Sequence, residues 1–171
     1  MFESSEKLNN QAIVLAKKGE YDEAIACFKR ALTVEKQNYL LWFNLGITYR
    51  ESGDLENAKS ALEQAYRINS SDQQIVESLA VLAYTIGNLD EAMEYCAEGL
   101  KVNTRNANLW NTVGVVYYNQ SNYQDAADAF ENAVSINPYY GDALYNLRDT
   151  YEELGNKAGY EECNIRLKQL K

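Results

Sequence analysis

Apolar residues along this chain recur at i, i+3, i+4 and i+7, and the same helical pattern returns every 34 residues. The segments YDEAIACFKRAL, LENAKSALEQAY, LDEAMEYCAEGL and YQDAADAFENAV hold Ala24, Ala58, Ala92 and Ala126 at one common position. Ahead of each comes a matching apolar run: Leu8, then WFNLG from Trp42, VESLA from Val76 and WNTVG from Trp110. Five windows follow, 5–38, 39–72, 73–106, 107–140 and 141–171, the first four in phase without insertion or deletion. In the second window Leu41, Trp42, Leu45, Gly46 and Tyr49 share one face of a first helix. After Gly53 a second helix carries Leu55, Ala58, Ala61, Leu62, Ala65 and Ile68 on its inner side. The pattern predicts an all-α stack of helix pairs, one domain over 1–171.

Turn chemistry separates the two helices of each pair. Gly19, Gly53, Gly87 and Gly155 supply the left-handed residue that ends a helix, and Ser121 holds that place in the fourth window. Asp54, Asn88, Asn122 and Asn156 follow as N-caps, Asn88 and Glu91 at capping-box spacing. Asn38, Asp72 and Asn106 are placed to cap the next first helix, so each helix runs for roughly fourteen residues. Gly46, Ala80 and Gly114 on first helices, with the alanine column on second helices, let paired axes approach to roughly 8–10 Å. Phe28, Trp42, Tyr49, Leu62, Trp110, Tyr117 and Phe130 are expected to fill the core beside these crossings.

These columns resemble the tetratricopeptide repeat (TPR). Trp42-x-x-Leu45-Gly46-x-x-Tyr49 and Trp110-x-x-Val113-Gly114-x-x-Tyr117 match its first-helix pattern. Ala58-x-x-x-Leu62-x-x-Ala65 and Ala126-x-x-x-Phe130-x-x-Ala133 match its second, and Pro138 is the family's proline. The first repeat departs with Leu8, Gln11 and Ala12, and Lys36, Ser70 and Thr104 replace proline, so those three turns are expected to rest on capping alone. The fifth drifts, with Arg148 for the glycine and Tyr160 in the small-residue column, and reads as a C-terminal cap with a partly polar outer face. The resemblance implies a right-handed superhelical solenoid whose first helices line a concave groove.

Composition narrows the chemistry. A chain 46% hydrophobic and 24% charged is ordinary for a soluble protein, and no apolar run approaches the ~20 residues that span a bilayer. The start, MFESSEKLNN, shows no basic-then-apolar signal, so a cytoplasmic location without membrane insertion is expected. A net charge of −9 argues against nucleic acid, which needs a basic stripe. From Gln73 to Tyr140 only Lys101 and Arg105 face eight carboxylates: Glu77, Asp90, Glu91, Glu94, Glu98, Asp125, Asp128 and Glu131. Cys27, Cys96 and Cys163 lie far apart without CxxC spacing, which suits reduced thiols, the first two on inward-facing stretches. With no histidine the commonest general base and metal ligand are missing, and no P-loop or GxSxG stands in. No catalysis, cofactor or metal is expected, and Glu152, Glu153, Glu161 and Glu162 read as solvated helix faces.

Within the implied groove the most regular column is Asn10, Asn44, Ser78, Thr112, Asn146, each offering a hydrogen-bonding side chain. It resembles the asparagine ladder of the TPR arm of O-linked N-acetylglucosamine transferase at Asn10, Asn44 and Asn146, and departs from it at Ser78 and Thr112. Such a row suits the backbone amides of an extended peptide. One turn on, Ile13, Ile47, Val81 and Val115 form an apolar column that ends at Asp149. Phe43, Tyr84, Tyr118 and Tyr145 lie beside it as contact anchors, with Asn111 as a further amide. Asp142, Asp149, Glu152 and Glu153 would favour a basic partner residue at the C-terminal end. The lysine and arginine clamp by which co-chaperones of this family hold a C-terminal carboxylate is missing: Asn9, Ile13, Asn44, Gln74 and Ser78 stand there. The expected function is a protein-interaction scaffold binding a partner segment. The alternatives are an acidic secretion or assembly chaperone for an aggregation-prone substrate, and a self-associating adaptor.

Overall fold

A computed structural model describes residues 4–170. Among them are ten α-helices of 13 or 14 residues and no strand. They are α1 (Ser5–Lys17), α2 (Tyr21–Val34), α3 (Tyr39–Ser52), α4 (Leu55–Ile68), α5 (Gln73–Ile86), α6 (Leu89–Val102), α7 (Ala107–Asn119), α8 (Tyr123–Ile136), α9 (Gly141–Glu153) and α10 (Lys157–Gln169). The fold is all-α, as expected. The chain forms two compact units, one up to Ile86 and one from Gly87. In the first, α1 packs on α2, α2 on α3, α3 on α4 and α4 on α5. The second repeats the scheme from α6 to α10.

The expected turns form, with two corrections. Gly19, Gly53, Gly87 and Gly155 have positive φ, and Ser121 adopts the same region at φ 60. Asp54, Asn88 and Asn156 each accept the backbone N–H three residues on, whereas the Asn122 side chain makes no capping bond. Between repeats Asn38, Asp72 and Asn106 cap the next helix through the N–H groups of Leu40, Gln74 and Leu109. The turns that lack proline do not rest on capping alone. Asn69 and Asn103 each accept the N–H two residues on, closing an Asx turn. The indole N–H of Trp42 donates to the Lys36 carbonyl and that of Trp110 to the Thr104 carbonyl, both at 2.9 Å.

Packing follows the small-residue columns. Ala24, Ala58, Ala92 and Ala126 are fully buried, and a Cβ on Gly46 or Gly114 would fall within 2.7 Å of Leu62 or 2.5 Å of Phe130. Trp42, Trp110 and Tyr117 are half-buried at the edges of the core rather than inside it. In the last pair the small-residue role falls not to the Tyr160 column but to Gly159, whose Cβ would meet the Tyr151 ring at 2.6 Å. All three cysteines are buried and free. Burial pushes the Cys96 thiol up to about 12, far from the thiolate that redox or metal chemistry requires.

Candidate functional site

First helices neighbour one another within each unit: α3 touches α1 and α5, and α7 touches α9. The residues singled out by the sequence lie on these helices. In the first unit Asn10 on α1 is exposed; Phe43, Asn44 and Ile47 on α3, and Ser78 and Tyr84 on α5, are half-buried. Val81 is 40% exposed. In the second unit Asn111, Val115, Tyr118 and Asn146 are half-buried and Tyr145 is 43% exposed. Thr112 differs from its column: it is 6% exposed and its hydroxyl donates to the Asn108 carbonyl of its own helix. That leaves little of its side chain for a ligand.

The same polar arrangement is built once in each unit. Asn44 Nδ2 donates to Asn9 Oδ1 across α3 and α1 at 3.2 Å, and Asn146 Nδ2 to Asn111 Oδ1 across α9 and α7 at 3.0 Å. Four residues after each donor stands a buried threonine, Thr48 or Thr150, whose hydroxyl donates to that asparagine's carbonyl at 2.7 Å. Asn9 stands outside the Asn10 column, and the sequence marks it only as a clamp position without a cation. Its signal is the spacing of 35, rather than 34, from Asn9 to Asn44, which recurs from Asn111 to Asn146.

An aromatic and acidic cluster adjoins Asn146. Tyr118 stacks edge-on against Tyr123 with ring centres 5.3 Å apart. Burial first, then the charges of Glu153, Asp149 and Glu152, hold the Tyr118 hydroxyl above its ordinary range. Those three carboxylates therefore lie close enough for their charges to act on the Tyr118 hydroxyl. Asp142 lies in the first turn of α9, two helical turns from Asp149 and about 10 Å along the axis. The chain already supplies one cation here. Arg148 donates to Asp149 Oδ1 at 2.6 and 2.9 Å and sits 5.1 Å over the Tyr145 ring. Among the described residues no group of His, Cys, Asp or Glu is placed to hold a metal ion, and no helix is long and apolar enough to cross a membrane.

Family models described as tetratricopeptide repeat match residues 3–71, 43–108 and 107–140. No curated protein matches the sequence. Among solved structures the chain is similar to the MamA protein at 21% identity, covering 99% of this chain and 93% of that one with TM-score 0.82. PilF of Pseudomonas aeruginosa matches at 12% identity, over 98% of this chain and 76% of that one, with TM-score 0.87. YrrB, described as a TPR protein with an unusual peptide-binding site, matches at 20% identity, over 96% of this chain and 84% of that one, with TM-score 0.71. At these identities the likeness is one of fold.

Proposed function

The chain belongs to the tetratricopeptide repeat family, and from that premise we propose that it is a non-enzymatic protein-interaction scaffold whose first-helix surfaces hold an extended partner segment. The observation that carries this reading is the pair of asparagine bridges, Asn44 to Asn9 and Asn146 to Asn111. A side-chain amide has two N–H donors and an oxygen with two lone pairs. Each bridge engages one donor and one lone pair, so the pair keeps capacity for a peptide N–H and a peptide C=O. Because each bridge already fixes both side chains, binding loses less side-chain freedom than it would with unpaired amides.

Apolar contact comes from Phe43, Ile47, Val81 and Tyr84 in the first unit, and from Val115, Tyr118 and Tyr145 in the second. Asn10 and Ser78 add polar contacts, and a partner's basic residue would meet Glu152 and Glu153 beside Arg148. The peptide-binding site described for YrrB supports this reading by likeness of fold. Asn44→Ala combined with Asn146→Ala is expected to weaken binding of a peptide selected from a displayed library by about tenfold or more. The melting temperature should move by no more than about 4 °C. Isothermal titration and thermal melting of the same samples check both, and unchanged affinity would remove the amide pairs from the binding surface.

A further inference from the structure

A second concave surface lies in the first unit, on the side of α3 opposite Asn44 and Ile47. It is an open groove of about 740 Å³ between α2 and α4, floored by Trp42, Leu45 and Tyr49 of α3. Lys29, Lys36 and Arg67 stand along its walls, and among the described residues no carboxylate lines it. Lys29 sits 5.6 Å over the Tyr49 ring. Two carboxylates reach these cations from outside the lining: Glu63 lies 3.9 Å from Arg67, and Asp54 feels the charge of Lys29. Both contacts are solvent-screened and weak.

The fold does not require this charge. Two repeats along, Lys29, Lys36 and Arg67 correspond to Ala97, Thr104 and Ser135, while Asn57 and Ser60 correspond to Asp125 and Asp128. Three repeats along, Lys29 corresponds to Glu131, which accepts a 2.6 Å hydrogen bond from Tyr151, the counterpart of Tyr49. One backbone position thus carries a cation in the first unit and a carboxylate in the second, both against a tyrosine. Three cations gathered on an aromatic floor in a chain of net charge −9 form a local inversion of sign.

We propose that the α2–α4 groove binds a short acidic peptide segment of a partner protein, its carboxylates on Lys29, Lys36 and Arg67 and an apolar side chain against Trp42. From Asn57 to Ile68 the α4 wall runs about 16 Å, room for about five residues of extended chain. Nucleic acid and anionic membrane carry charge far beyond that length and would meet the carboxylates that dominate the rest of the surface.

The test is fluorescence anisotropy with a labelled peptide of alternating glutamate and aspartate around one central leucine, beside a lysine counterpart. The acidic peptide binds and the basic one does not. Lys29→Glu with Lys36→Glu weakens binding at least ~10-fold, as does raising the salt to ~0.5 M. Lys18→Glu, an exposed lysine elsewhere on the unit, leaves affinity within about twofold. All three substituted lysines are exposed, and circular dichroism confirms that each variant is folded. Equal binding of both peptides, or no change in the double variant, overturns the proposal. Equal displacement by an oligonucleotide of matching charge also overturns it, because the groove would then be a general anion surface. Sedimentation showing a dimer that Lys29→Glu and Lys36→Glu dissociate would assign the groove to a second copy of this chain and overturn the partner reading.

Discussion

Replacing Trp110 by alanine is expected to destabilise the protein by about 3–5 kcal/mol. The indole packs against a buried cluster that includes Ala126, Phe130, Ala133, Leu144 and Leu147, so its removal leaves that cluster open at one edge. The same side chain closes a turn, since its N–H donates to the Thr104 carbonyl. Trp110→Phe separates the two contributions: it keeps most of the ring and loses the donor, and is expected to cost about 1 kcal/mol. Far-UV circular dichroism melts decide it, because 3 kcal/mol corresponds to ~6–12 °C for a chain of this size. A Trp110→Ala midpoint within ~2 °C of the parent would contradict the packing described.

The second large effect is a reversal of sign at Gly114. Alanine there would place its Cβ 2.5 Å from the ring of Phe130, which is 1% exposed and packed within a buried cluster. Overpacking of ~1–3 kcal/mol then outweighs the ~1 kcal/mol of helix propensity that alanine gains over glycine. In a Phe130→Ala background, itself expected to cost about 3–5 kcal/mol, the clash is gone and only the propensity remains. Gly114→Ala should therefore destabilise the parent and stabilise the Phe130→Ala variant by up to ~1 kcal/mol. Urea denaturation of the four proteins measures the cycle. The same sign in both backgrounds would show that Gly114 is small for some reason other than Phe130.

Helix number, helix ends and the buried small-residue columns were legible because each is written several times in register. A single helical period is weak, but the period of 34 places most caps and small residues again in the next repeat. What escaped the pattern are contacts between different columns. Asn10, Asn44 and Asn146 share a column because they share an angular position on their helices. Two neighbouring helices meet with facing sides, at different angular positions, so the partner of Asn44 is Asn9 and not Asn10. The threonine supports at Thr48 and Thr150 are invisible for a related reason, since nothing in their spacing reveals that their hydroxyls turn back on the helix.

The other departures are local. Gly159 takes the close approach in the last pair because the Tyr151 ring lies over it, so the small residue moves one place from its column. The bonds from Trp42 and Trp110 to the turns depend on half-buried indoles reaching back six residues, which a helical pattern does not encode. The basic groove between α2 and α4 was masked by net charge. Counting along the chain shows an acidic protein, whereas Lys29, Lys36 and Arg67 come from three separated places and meet only in the folded unit. On the candidate peptide surface, Arg148 is a residue whose importance lies in its neighbours, Asp149 and the Tyr145 ring.

The most direct test of the peptide-binding account is an NMR titration of the 15N-labelled protein with a library-selected extended peptide, read at the asparagine side-chain amides. Bound peptide should shift the amide signals of Asn9 and Asn44, or of Asn111 and Asn146, together with the backbone signals of Phe43, Ile47, Val115 and Tyr118. Shifts confined to α2 and α4, with all four side-chain amides unmoved, would contradict it.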